Sequence, residues 1–224
     1  MRKSKAQELT LLLIEMINQK EGDYFYLAIS GGSSPLSLFS LWTGELKELI
    51  SWDKVKLFWV DERAVSPVSK ESNFGSAKKH LLDKITIPES NVFRIKGEED
   101  VDREALRYSS LVKEYLPLKN NFPVFDMVIL GIGEDGHTSS IFPGQEHLYN
   151  HEQPYAPSVN PYSGQLRVAM TGKTILAAKR AVFFLTGPSK IKTVEMVESN
   201  IGDVKYPASY LLKELGSSSI FLSL

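Results

Sequence analysis

The chain has 224 residues, 42% of them hydrophobic, which is enough to bury the core of one α/β domain spanning residues 1–224. Its 26 basic and 27 acidic residues give a formal net charge of -1, so no overall field draws the protein to nucleic acid or to an anionic membrane, and we expect neither as a partner. The sequence contains no cysteine, which excludes disulfides and thiolate chemistry and is compatible with a reducing cytosol, so we expect a cytoplasmic location.

The N-terminal segment, Met1 to Lys20, begins with basic residues and then turns apolar, as a signal peptide does. Polar residues interrupt the apolar run, however, and no small-residue cleavage site follows it. Its apolar residues recur near helical spacing, so the segment predicts an amphipathic first helix. No run in the chain approaches the roughly 20 apolar residues that a membrane span needs.

The first strand is predicted at Tyr24 to Ser30, a short, aromatic-rich and almost wholly apolar run. It leads into a glycine turn in which Ser34 fits the N-cap and Pro35 the first position of a helix. Backbone N–H groups at this helix start can hold a phosphate, and the alternative is an ordinary turn capped by serine. The candidate phosphate-binding residues are Gly31, Gly32, Ser33 and Ser34.

The second clear strand, Val55 to Val60, is followed directly by Asp61, Glu62 and Arg63. Ligands bind at the carboxyl ends of strands in open α/β sheets, so an arginine there is a candidate anion clamp, although a solvated loop is an equal alternative. Farther on, Asn73 fits either a helix cap or a polar contact in the site, and the sequence favours the cap.

The most informative stretch runs from Phe125 to Gly144 and starts with an apolar strand. In the loop that follows, three glycines, one of them Gly133, are interleaved with Glu134, Asp135 and His137, which supplies a titratable pair beside close-approaching backbone. The spacing also matches the dinucleotide fingerprint G-x-G-x-x-G. Prolines and turn residues follow where that fingerprint requires a helix, so we reject a nicotinamide site and expect no cofactor.

The rest of the chain alternates irregular and apolar segments. His147 to Pro161 carries two histidines four residues apart, but its prolines oppose a helix, so a mobile surface loop is favoured over a metal site. Leu166 to Met170 predicts a strand containing Arg167, and Ala181 to Thr186 predicts another that ends in a glycine turn with Lys190. The pattern predicts a mainly parallel, doubly wound open α/β sheet with helices on both faces and ligand loops at one edge.

Several segments, taken in order, resemble the 6-phosphogluconolactonase family: S-G-G-S-S-P at 30–35, W-V-D-E-R at 59–63, E-S-N at 71–73, G-I-G-E-D-G-H-T-S-S-I-F-P-G at 131–144 and T-G-P-S-K at 186–190. That family is similar in fold to the glucosamine-6-phosphate deaminases and, more distantly, to ribose-5-phosphate isomerase. The deaminases carry Asn-Glu-Pro after the histidine, where this chain has S-I-F-P at 140–143. The Arg-x-Thr-Leu strand of the family is only loosely matched by R-V-A-M at 167–170.

The resemblance implies a monomeric, metal-free hydrolase that opens 6-phospho-D-glucono-1,5-lactone. His137 would be the general base, Asp135 would orient it, and Arg63 would stabilise the oxyanion or compete for the phosphate. The phosphate would bind the amides of 31–34 with Arg167 and Lys190. The remaining substrate-binding candidates are Asp61, Asn73 and Gly133. The alternatives are a glucosamine-6-phosphate deaminase or isomerase and a non-catalytic sugar-phosphate sensor.

Overall fold

Strands and helices alternate along the chain in the computed structural model, which describes residues 3–224. The strands are β1 (Phe25–Ile29), β2 (Val55–Trp59), β3 (Asp61–Arg63), β4 (Val92–Phe93), β5 (Leu118–Lys119), β6 (Phe122–Pro123), β7 (Met127–Leu130), β8 (Tyr155–Val159), β9 (Leu166–Met170), β10 (Ala181–Thr186) and β11 (Ile220–Ser223). The helices are α1 (Lys5–Asn18), α2 (Pro35–Thr43), α3 (Asn73–His80), α4 (Val101–Tyr115), α5 (Gly172–Ala177), α6 (Ile191–Ser199) and α7 (Pro207–Leu215).

The main sheet has six strands in the order β11-β10-β7-β1-β2-β4, and each neighbouring pair is parallel. The chain lays β2 and β4 on one side of β1 and then crosses over to lay β7, β10 and β11 on the other. In an open parallel sheet, the reversal between β1 and β7 leaves a crevice at their carboxyl ends. The mainly parallel, doubly wound sheet predicted from the sequence is confirmed.

Helices cover both faces of this sheet. On the first, Ser4 caps α1 with a capping box that it forms with Gln7, and α1 buries Leu9, Leu13 and Ile17 against α2 and β11. This confirms the amphipathic helix predicted near the N-terminus. A second group of helices, α5 to α7, packs together. Within residues 3–224, no helix combines the length and the apolar composition needed to cross a bilayer.

A smaller antiparallel sheet, β3-β9-β8, extends from the end of β2. Its outer strand, β8, corrects the mobile loop predicted for 147–161, because Tyr155–Val159 is a strand in which Tyr155 is 1% exposed. The Tyr155 hydroxyl donates to the Trp59 carbonyl at 2.8 Å. The prolines opposed a helix, and Pro157, the one proline within β8, is compatible with this strand, since a strand at the edge of a sheet tolerates a residue that cannot donate.

Candidate functional site

A cleft of about 180 Å³ opens at the crevice between β1 and β7. All of the site residues predicted from the sequence line this cleft except Asp135. The carboxylate of Asp135 lies outside the lining and forms a hydrogen bond with the His137 ring. The lining residues are Ser30, Gly31, Gly32, Ser33, Ser34, Asp61, Arg63, Asn73, Gly131, Ile132, Gly133, His137, Ser139, Ser140, Arg167 and Lys190. They come from the loops after β1, β7 and β10, from β3 and β9 of the small sheet, and from the first residue of α3.

The imidazole of His137 is held by its neighbours in the loop after β7. Its Nδ1 lies 2.6 Å from Asp135 Oδ1, so Nδ1–H donates to the carboxylate and Nε2 is left as the acceptor in the neutral ring. Burial alone raises the pKa of Asp135, but the hydrogen bond to His137 and the charge of the imidazolium outweigh it and lower the pKa to about 2. The carboxylate is therefore ionised at neutral pH and fixes the ring.

Gly133 is required by close packing against that ring. A Cβ at this position would lie 2.1 Å from Nδ1 and 2.2 Å from Cε1 of His137, and 2.8 Å from Asp135 Oδ1. The loop also closes through the Gly133 N–H, which donates to the His137 carbonyl at 2.9 Å. The imidazole thus lies directly against backbone, and any side chain at Gly133 would displace it.

The turn that follows His137 contains two consecutive left-handed residues, Ser139 (φ 52°) and Ser140 (φ 57°). Such backbone is costly for residues other than glycine and persists where its surroundings hold it. The Ser139 hydroxyl donates to the Met170 carbonyl at 2.8 Å, and the Ser140 hydroxyl donates to Asp61 Oδ2. Our sequence reasoning selected neither serine for the site, although the T-S-S that follows Asp-Gly-His marked the position.

Arg63 and Arg167 are paired directly across the antiparallel strands β3 and β9. Like charges in this arrangement repel each other, and both side chains line the cleft. Burial lowers the pKa of Arg167, and the charge of Arg63 lowers it further against the opposing effect of Asp61. The Nε of each arginine is buried without a hydrogen-bond partner among the described residues, so each guanidinium keeps an unused donor.

Lys190 adds a third cation from the turn after β10. Its Nζ donates to the Ile132 carbonyl at 3.1 Å, which holds the ammonium beside the loop after β7. An ammonium has three donors, so this bond leaves it able to bind an anion as well. Three cationic side chains from three different elements therefore border a single small cleft.

Asn73 lines the cleft, and the prediction that it caps a helix is wrong. The cap is Ser72, whose Oγ accepts from the Gly75 N–H at 3.0 Å. Asn73 Nδ2 instead donates to the Asp61 carbonyl at 2.8 Å and to Asp61 Oδ1 at 3.1 Å. Both residues fit a cap by local sequence, and the contact with Asp61 decides between them.

The glycine turn after β1 packs tightly on this amide. A Cβ at Gly31 would lie 1.7 Å from Asn73 Oδ1, so the first glycine is required by the asparagine, while Gly32 has a positive φ of 85°. Ser34 adopts helical angles and makes no side-chain capping bond among residues 3–224, which corrects the predicted serine cap. The turn leads into Pro35 at the start of α2, as predicted.

Among residues 3–224, no group of three or more His, Cys, Asp or Glu side chains could hold a metal ion. The titratable groups of the cleft are instead one His–Asp pair, the cations and Asp61. A sheet crevice with this composition suits a small anionic substrate and a reaction that moves a proton.

The chain belongs to the family described as glucosamine-6-phosphate isomerases/6-phosphogluconolactonase, whose sequence profile matches residues 2–219. Within it, the chain is 36% identical to a 6-phosphogluconolactonase of Aggregatibacter actinomycetemcomitans, over 88% of this chain and 84% of that protein. It is 34% identical to a 6-phosphogluconolactonase of Treponema pallidum, over 87% of this chain and 82% of the relative.

Solved structures agree with this placement. The crystal structure of the devB protein superposes with a TM-score of 0.85 at 35% identity, covering 97% of this chain and 91% of that one. A monomeric glucosamine-6-phosphate deaminase superposes with a TM-score of 0.77 at 21% identity, covering 97% and 91%. The second likeness shows that the deaminases share the fold.

Proposed function

We propose that this chain is an enzyme that hydrolyses 6-phospho-D-glucono-1,5-lactone to 6-phospho-D-gluconate, a step of the oxidative pentose phosphate pathway. The observation that carries the proposal is the His137–Asp135 pair at 2.6 Å, set in a cleft bordered by three cations. Relatives that are 34% and 36% identical over most of the chain are 6-phosphogluconolactonases, which supports the choice of substrate.

In the proposed reaction, Nε2 of His137 accepts a proton from water while the water oxygen bonds to the lactone carbonyl carbon. The carbonyl oxygen becomes an oxyanion in the tetrahedral intermediate. When that intermediate collapses, the bond from carbon to the ring oxygen breaks, and the imidazolium returns its proton to this oxygen. Asp135 stabilises the imidazolium between the two steps, which its ionised carboxylate is suited to do.

The oxyanion needs a donor that is already in place before the charge develops. We assign this role to Arg63, because its buried Nε makes no other hydrogen bond in the described region and its guanidinium is anchored to the Glu71 carbonyl. Backbone N–H groups of the loop around Gly133 are the second source of donors.

For the phosphate, we propose the amides of Gly31 to Ser34 together with Lys190 and Arg167, with Arg63 as the competing cation. These amides precede α2, so the positive end of the helix dipole adds to the attraction. Asp61 and Asn73 are hydrogen-bonded to each other. We propose that both also form hydrogen bonds with the sugar hydroxyls of the substrate. Gly133 would contact substrate through its backbone.

We further propose that the protein acts in the cytoplasm as a monomer and that residues 1–224 form one domain. A continuous buried core joins the strands of the main sheet to residues of the small sheet, including Val168 and Tyr155. The lack of cysteine suits a reducing compartment.

The test follows acid release from freshly generated lactone, measured as the excess over spontaneous hydrolysis. His137→Ala should lower kcat by about 100-fold or more, the usual scale for loss of a general base. Near-normal turnover in this variant would refute the assignment of the base. Glucosamine 6-phosphate serves as the control substrate, and ammonia release from it without lactone hydrolysis would refute the proposed function.

A further inference from the structure

Glu62 lies between two cleft residues but points away from the cleft. Successive side chains of a strand alternate between its two faces, so Asp61 and Arg63 of β3 line the cleft while Glu62 lies behind it, 2% exposed. A carboxylate that is buried to this degree is stable only if its oxygens are bonded. The proposed reaction gives this group no role.

The carboxylate accepts four hydrogen bonds. Oε1 accepts from the N–H groups of Arg63 at 2.8 Å and Asn73 at 2.7 Å. Oε2 accepts from the Phe74 N–H at 2.8 Å and the Ser72 hydroxyl at 2.9 Å. Burial raises the pKa of Glu62, and the four hydrogen bonds oppose this effect because each partner donates to the carboxylate. The four donors leave no place for an added donor.

Two of these donors are the first N–H groups of α3, which have no partners within the helix itself. The negative charge of Glu62 also lies at the positive end of the helix dipole. The carboxylate therefore fastens the start of α3 to the back of β3. It holds the helix N-terminus and the strand backbone through the same oxygen atom, Oε1.

The turn that Glu62 fastens carries one group of the cleft, Asn73, and anchors a second, the Arg63 guanidinium. Asn73 reaches over β3 to donate to the Asp61 carbonyl at 2.8 Å. The Arg63 guanidinium donates to the carbonyl of Glu71, one residue before the capping serine. A shift of this turn would therefore move the Arg63 guanidinium and the Asn73 amide together.

We propose that Glu62 is a positioning residue for lactone hydrolysis, which sets the Arg63 guanidinium by fixing the turn at 71–74 against β3. The inference rests on the proposed function, because its effect is read in lactone turnover. Glu62→Gln keeps the shape of the side chain but replaces an acceptor oxygen with an NH2 group, which faces a donor whichever way the amide is turned.

The test is a double-mutant cycle of Glu62→Gln and Arg63→Ala, read as kcat/KM for the lactone. Glu62→Gln should lower kcat/KM by about 10-fold or more in the wild-type background, since misplacement of a charged group by about 1 Å can cost about 100-fold. In the Arg63→Ala background the same change should cost less than about 3-fold, because the group that it positions is gone.

Asp126→Asn is the matched control. Asp126 is also a carboxylate with 2% exposure that accepts a backbone N–H, that of Tyr26 at 2.9 Å, but it precedes β7 at the opposite end of the sheet. The Asp126→Asn variant should have a lower melting temperature than wild type and a kcat/KM within about 2-fold of the wild-type value. A purely structural role for Glu62 would give the same result as this control.

Equal losses from Glu62→Gln in both backgrounds, or normal kcat/KM in the single variant, would overturn the positioning role while the proposed function stands. A wild-type protein that does not accelerate lactone hydrolysis overturns both. If Glu62→Gln does not fold, Ser72→Ala removes one of the four donors more gently. Its effect must then also shrink in the Arg63→Ala background, and an unchanged effect overturns the inference.

Discussion

The close packing of Gly133 against the imidazole of His137 allows the effect of one substitution, Gly133→Ala, to be predicted quantitatively. In Gly133→Ala, the new Cβ would start 2.1 Å from His137 Nδ1, whereas ordinary van der Waals contact begins at 3.4 Å. The ring or the loop must therefore move by about 1.3 Å to reach ordinary contact. Such a movement also disturbs the short hydrogen bond between Nδ1 and Asp135 Oδ1. The φ angle at Gly133 is not in the left-handed region, so backbone strain does not add to the effect.

If a general base shifts by about 1 Å, the rate can fall by about 100-fold, so with the proposed role of His137 we expect kcat of Gly133→Ala to fall by roughly that factor. The assay is acid release above the spontaneous rate, with thermal melting to show that the variant is folded. Gly172→Ala is a suitable comparison, because its Cβ would lie 2.6 Å from the Tyr149 carbonyl oxygen, outside the cleft. That variant should lose stability and keep its turnover. A Gly133→Ala enzyme with wild-type kcat would refute the idea that the backbone fixes the ring.

Two further predictions concern carboxylates. Asp126 is 2% exposed and binds Lys20 Nζ at 2.7 Å and Lys179 Nζ at 2.9 Å. Asp126→Asn should therefore lower the free energy of unfolding by about 3 kcal/mol. This value is at the lower end of the range for a broken buried ion pair, because Lys179 is 57% exposed. Urea denaturation measures this, and a change below about 1 kcal/mol would contradict it. The pKa of Asp135 is lowered to about 2 in the folded protein, from about 3.9 in the unfolded chain. Its ionised form therefore stabilises the fold above about pH 5, and this stabilisation is lost as the pH falls from about 4 to 2. The stability difference between wild type and Asp135→Asn should narrow over that interval, and a difference independent of pH would contradict the pairing.

The main sheet and most of the cleft could be predicted from the sequence because each rests on a local signal. Strands buried on both faces are continuous apolar runs, as at 127–130, and residues that follow such runs gather at one edge of a parallel sheet. Arg63, His137 and Lys190 were found in this way. Their proximity follows from topology alone, without knowledge of any side-chain contact.

The features that the sequence reasoning missed have a different origin, since each is determined by residues that are distant along the chain. Ser72 and Asn73 are both good caps locally, and only the approach of Asp61 assigns Asn73 to the cleft. β8 was missed because the prolines of 147–161 were weighed only against a helix, and because Pro157 fits a strand only at a sheet edge, which local sequence does not reveal. The left-handed angles of Ser139 and Ser140 are likewise set by bonds to residues far along the chain.

The reversal of strand order between β1 and β7 also determines when the cleft can form during folding. Ser30, at the end of β1, donates both its N–H and its hydroxyl to the carbonyl of Ile129, 99 residues farther along the chain. Closing a loop of this length costs roughly 4 kcal/mol in chain entropy before any contact repays it. The cleft residues on either side of this junction, such as Gly31 and His137, meet only after that closure, so the cleft cannot form before the chain has been synthesised as far as β7 and the loop that follows it.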